Sequence, residues 1–186
     1  SESRILKIGV VGEVKAGKSS FLNALIFNGE DILPKACTPM TAALTKISYG
    51  EKQAASIYFY SEQAWEKIEN YSQQYDEMFE SEYEVYKKKV DATNALRRNM
   101  KAILLSREEK KNDIDKKLPK WLVACKELTD MASKSTIDRD EVLGTCKELE
   151  VADIKTGLKD YIGAGGKFTA LVEHVEIKMN NEIFKE

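Results

Sequence analysis

Eight residues near the start, Gly12-Glu-Val-Lys-Ala-Gly17-Lys18-Ser19, constrain this chain more than any other feature. They fit the spacing G-x-x-x-x-G-K-[ST], in which glycines let the backbone turn inward so that successive N–H groups point at one anion. The flanks agree with that geometry. Residues 4–11, Arg-Ile-Leu-Lys-Ile-Gly-Val-Val, are apolar and β-rich, as expected of a strand buried on both faces. Lys18–Phe27 reads as a helix with Phe21, Leu22, Leu25 and Ile26 on a single apolar face, stopped by Asn28-Gly29. Such a helix aims the positive end of its dipole at the same anion. Nucleotide contacts are therefore expected from Gly12, Glu13, Val14, Lys15, Ala16, Gly17, Lys18, Ser19 and Ser20. Lys18 would reach the β- and γ-phosphates, and the Ser19 hydroxyl would ligate Mg²⁺. A glycine turn that merely precedes a lysine is the competing reading, and the strand–loop–helix order disfavours it.

The next segment, 30–42, is expected to be an extended loop because Pro34 and Pro39 block regular structure. Leu44–Tyr49 and Ala54–Tyr60 read as strands joined in a hairpin through Gly50-Glu-Lys-Gln53. From Ser61, a suitable N-cap, Trp65, Ile68, Tyr71, Tyr75, Met78, Phe79, Tyr86 and Val90 recur at helical spacing. Neither proline nor glycine interrupts the run before Leu118. One straight helix of roughly 55 residues would be about 80 Å long. Two antiparallel helices are expected instead, breaking near Asp91–Asn94 or Ser106. Pro119 then opens a helix carrying Trp121, Leu122, Cys125, Leu128 and Met131. Ser133–Asp140 reads as loop, Asp140–Leu149 and Ala152–Ile162 as shorter helices, and Gly163–Gly166 as a re-entry loop without the setting of a dinucleotide fingerprint. Val172–Met179 reads as a strand.

Charge and composition exclude several classes. A net charge of -2 argues against holding nucleic acid by bulk electrostatics. No window approaches the roughly 18 apolar residues needed to span a bilayer, and the N-terminal run is broken by Lys7 without a cleavage region. Three cysteines, Cys37, Cys125 and Cys146, form no CxxC pair and read as free thiols of a reducing cytoplasm. His174 has no partners at metal spacing and reads as an ordinary strand residue. Lys87-Lys-Lys89 and Lys110-Lys111 lie among Glu80, Glu82, Glu84, Glu108 and Glu109. That mixture suits a solvated face better than an anionic lipid surface, so a cytoplasmic protein is expected, with a peripheral membrane location as the weaker alternative.

The phrase Gly-Glu-Val-Lys-Ala-Gly-Lys-Ser-Ser-Phe-Leu-Asn-Ala-Leu, 12–25, resembles the first motif of the bacterial dynamin-like GTPases. Ile32-Leu-Pro34, Thr38-Pro-Met-Thr41-Ala and Ile47-Ser-Tyr-Gly50 are similar to their switch I loop and the strand behind it. Phe59-Tyr-Ser-Glu-Gln-Ala-Trp65 looks like the entry to a helical insertion, and Tyr161-Ile162 through Phe168-Thr-Ala-Leu-Val172 like the return to the core. The resemblance implies that Thr41 ligates Mg²⁺ and helps position the attacking water, with Thr38 as runner-up. Dynamins proper carry glutamine and serine where Val14 and Lys15 stand, and Lys15 could place its ammonium near the β/γ bridge as a built-in cation; a solvated lysine is the alternative. The resemblance places the family's Asp-x-x-Gly motif after the strand at Val172–Met179, and none follows there before Glu186; no [NT]KxD guanine-reading motif occurs in these 186 residues.

These readings combine into one expectation. The fold would be α/β: an incomplete P-loop, GTPase-like core with a long, mostly helical insertion. Residues 1–60 would supply the P-loop, switch I and hairpin, 61–165 the insertion, and 166–186 a return strand ending before Asp-x-x-Gly. The strand at 4–11 would then lack its later neighbours and need a second copy or the remainder of the protein to cover it. The expected activity is Mg²⁺-dependent hydrolysis of GTP to GDP and phosphate, with Lys18, Thr41 and Lys15 as catalytic groups and Ser19 and Thr41 on the metal. Self-association is the expected partnership, and no nucleic acid is. A helical protein-interaction module with a regulatory or vestigial P-loop, or an ATP-binding P-loop protein, are the alternatives.

Overall fold

A computed structural model describes residues 17–26, 33, 44–97, 101–149, 154–162 and 165–180. The elements in order are α1 (Lys18–Ile26), β1 (Leu44–Tyr49), β2 (Ala54–Phe59), α2 (Glu62–Leu96), α3 (Arg107–Asp115), α4 (Lys120–Lys134), α5 (Arg139–Val142), β3 (Cys146–Leu149), α6 (Ile154–Ile162) and β4 (Val172–Met179). The expected strand at 4–11, the loop at 12–16 and the Asn28-Gly29 stop lie outside the described residues. The chain divides into two compact units, Ser1–Trp65 with Met131–Glu186, and Glu66–Asp130.

The first unit is mixed α/β. Its sheet has the order β1-β4-β2-β3, with β4 parallel to β1 and antiparallel to β2, and β3 antiparallel to β2. The expected hairpin between β1 and β2 does not form, because β4 lies between them. Val175 and Ile177 of β4 are wholly buried and favour the centre of the sheet, whereas Leu44 at the start of β1 is exposed, as an edge permits. Residues 50–53 therefore cross two strand spacings, about 10 Å, which four residues reach easily. The crossing begins on β4 itself, since the Gly50 N–H donates to the Met179 carbonyl at 2.9 Å.

Alternation sorts the faces of the sheet. Ala55, Ile57 and Phe59 of β2 point into the core, where Phe59 meets Tyr161 and Phe168 at ring-centroid distances of 6.2 and 5.9 Å. The other face is polar: Lys46, Glu176, Ser56 and Glu148 form one row across all four strands. Lys46 Nζ bonds Glu176 at 2.9 Å, and Ser56 Oγ donates to Glu148 at 2.7 Å. His174 takes an ordinary strand position, stacked on Tyr58 at 4.4 Å. The helix expected over Asp140–Leu149 is corrected to the short α5 followed by β3. Gly144, at φ +75°, turns the chain out of helix, and Gly144 N–H bonds the Tyr60 carbonyl while Thr145 receives the Phe59 N–H, which steers Cys146 onto the β2 edge.

The second unit is helical and spans Glu66–Asp130, while α5, β3 and α6, which also fall within the expected 61–165, belong to the first unit. The expected break near Asp91–Asn94 is absent: α2 runs 35 residues through it, no glycine or proline opposing it. The chain returns antiparallel to α2. Asn94 brackets Ala102 with both ends of its amide, Tyr83 Oη donates to the Leu105 carbonyl, and Tyr75 Oη donates to Asp115 at 2.5 Å. Ser106, the alternative break, is the N-cap of α3, in a capping box with Glu109. Pro119 opens α4, its carbonyl accepting from Leu122 and Val123. Tyr75, Tyr83, Ile114, Leu118 and Leu122 form the core between these helices.

Candidate phosphate-binding site

Among the residues expected to hold phosphate, Gly17, Lys18, Ser19 and Ser20 are described; Gly12, Glu13, Val14, Lys15 and Ala16 lie outside the described residues, as does Thr41. Gly17 has φ +83°, a left-handed backbone that residues with a Cβ rarely adopt. Nothing lies within 4 Å of where its Cβ would be, so conformation and not crowding demands glycine. From that turn α1 starts at once. The Phe21 N–H donates to the Gly17 carbonyl at 2.8 Å, the first rung of the helical ladder.

A ladder that begins there leaves the amides of the first turn, including those of Ser19 and Ser20, without a use inside the helix. At three other helices a side chain supplies an oxygen to such an end. Ser61 caps α2, Ser106 and Glu109 cap α3, and Asp138 caps α5. The first turn of α1 instead contains no acidic residue, and Gly17 has no side chain to cap with. Its positive end is thus suited to an external anion. Lys18 and Ser19 are half-buried at this end, and Ser20 is exposed.

The donor chemistry fits Mg²⁺. No group of three His, Cys, Asp or Glu side chains converges among the described residues. A serine hydroxyl beside a phosphate-binding helix end matches the way Mg²⁺ is held, by few protein oxygens with substrate phosphates and water completing the shell.

Two features of α1 differ from the reading of the sequence. Phe21 and Leu25, expected on the apolar face, are 56% and 48% exposed. Among the described side chains of α1 the wholly enclosed one is instead Asn23, whose amide bonds both backbone groups of Leu33. Its only trace in the sequence is one amide set within Phe-Leu-Asn-Ala-Leu.

A profile described as the dynamin family matches residues 8–155, more than half of the chain and the whole of the phosphate motif. The chain belongs to the dynamin family. Two bacterial relatives agree with this membership. Dynamin-like protein 1 of Campylobacter jejuni is 46% identical over 61 residues, which is 33% of this chain and 8% of the relative. The bacterial dynamin-like protein of Nostoc punctiforme is 46% identical over 55 residues, 30% of this chain and again 8% of the relative. The match covers the Gly17 turn and the start of α1 together with the rest of the phosphate motif.

Proposed function

We propose that this chain is the nucleotide-binding part of a dynamin-like GTPase that binds GTP with Mg²⁺ and hydrolyses it to GDP and phosphate. The observation that carries this reading is the Gly17 turn feeding the acid-free first turn of α1 inside a complete G-x-x-x-x-G-K-S motif. Backbone amides of residues 13–19 hold the β-phosphate, and the Lys18 ammonium balances charge that develops on the transferred phosphoryl group. Ser19 and Thr41 offer hydroxyl oxygens to Mg²⁺, which when bound neutralises the phosphate oxygens. Lys15 adds a second cation near the β/γ bridge. Preference for guanine, a cytoplasmic location and coupling of turnover to self-assembly or membrane remodelling belong to the same proposal and rest on family membership. Titration of the full-length protein with labelled GTP, with and without excess ATP, tests it together with phosphate release.

A second reading has its own support. Tyr71, Met78 and Val85 are exposed at seven-residue spacing along α2, and Tyr71 stands against exposed Trp121 at 4.9 Å. Such a stripe suits contact with another protein, as a helical interaction module would require. A full-length protein that never binds nucleotide would leave this reading standing.

A further inference from the structure

Asn23 is 2% exposed, and both ends of its carboxamide are committed to Leu33, itself 4% exposed. Oδ1 accepts the Leu33 N–H at 2.8 Å, and Nδ2 donates to the Leu33 carbonyl at 2.9 Å. One side chain thus does what a neighbouring strand residue would do, satisfying both backbone groups of a buried residue. Helix formation does not call for it, since asparagine is a poor helix former and an alanine would serve α1 better. The pair is worth keeping for where it holds the chain. Asn23 lies one turn after Ser19, at i+4, so Leu33 is fastened to the face of α1 that carries the Ser19 hydroxyl. Thr41 follows Leu33 by eight residues in the chain.

We propose that Asn23 is a positioning residue for triphosphate hydrolysis: its carboxamide fixes the Leu33 backbone beside the Ser19 face of α1 and so sets where the segment bearing Thr41 begins. This rests on the GTPase reading above. On this proposal the clamp acts on a group delivered from the segment after Leu33 and not on the amides and Lys18 that hold a diphosphate.

The test compares wild type, Asn23→Leu and Asn23→Asp in the full-length protein, reading GDP affinity, kcat and KM for GTP, thermal midpoint and pH profile. Asn23→Leu keeps the branched shape and the number of heavy atoms and removes both bonds; kcat falls about tenfold or more while GDP affinity stays within about threefold. Asn23→Asp is impaired near pH 8 and regains activity relative to wild type towards about pH 5–6, because a protonated carboxyl again accepts from the N–H and donates to the carbonyl. Loss of GDP affinity and thermal midpoint in step with kcat, or an Asn23→Asp profile parallel to wild type, overturns the proposal and leaves a packing role. If Asn23→Leu does not fold, the pH profile of Asn23→Asp decides. Wild-type protein that binds neither GDP nor GTP defeats the GTPase reading and this one together, whereas normal turnover in both variants defeats this one alone.

Discussion

Gly17 and Asn23 show how single residues shape the start of α1. Gly17 occupies φ +83° with open space around it, so alanine there adds backbone strain without a clash. Gly17→Ala is expected to weaken hydrogen-exchange protection of the α1 amides by about 1–2 kcal/mol, the cost of a left-handed backbone at an L-residue. Unchanged protection would mean that α1 does not depend on this turn. Asn23 could not be recognised in the same way. A glycine before lysine announces its backbone need locally, but the partner of Asn23 is ten residues away and nothing near Asn23 names it. Burial can also raise a thiol: Cys125 is pushed above the usual cysteine value by desolvation, which disfavours the reactive thiolate.

Elements with local signals form where the sequence places them. Ser61 and Pro119 start α2 and α4 as expected, because caps and prolines act within one turn, and Ser106, read as one of two possible breaks, caps α3. The alternation of β2 and β4 likewise fixed which side chains enter the core. Strand β3 was not legible, since Cys-Lys-Glu-Leu is compatible with helix and becomes strand only through the edge of β2. The capping box of α3 gives a pH prediction. Glu109 is held below the ordinary carboxylate value, first by the Ser106 backbone N–H and then by its hydroxyl. A depressed folded-state value means the contribution is present above the unfolded value, about 4.3, and is lost as pH falls through the folded one. In an NMR titration the Ser106 amide should therefore shift with a midpoint below that of free glutamate. A midpoint at or above it contradicts the box.

For the whole molecule, the order of strands was the least legible feature. Placing β4 between β1 and β2 depends on contacts over a hundred residues apart, such as Lys46 with Glu176, and no local pattern encodes that choice. The division into two units carries its own prediction. Leu122 is wholly buried in the Tyr75, Tyr83, Ile114 and Leu118 cluster. Leu122→Ala should destabilise Glu66–Asp130 by about 2–5 kcal/mol, read by hydrogen exchange, while the β4 amides keep their protection. Loss of protection in β4 to the same extent would mean that the two units unfold as one. The decisive measurement concerns the end of α1: equilibrium binding of labelled GTP, with Mg²⁺, to full-length wild type and Lys18→Ala. Saturable binding that withstands excess ATP and weakens at least about tenfold in Lys18→Ala is the predicted result. Equal binding by the two proteins, or none by wild type, would contradict it.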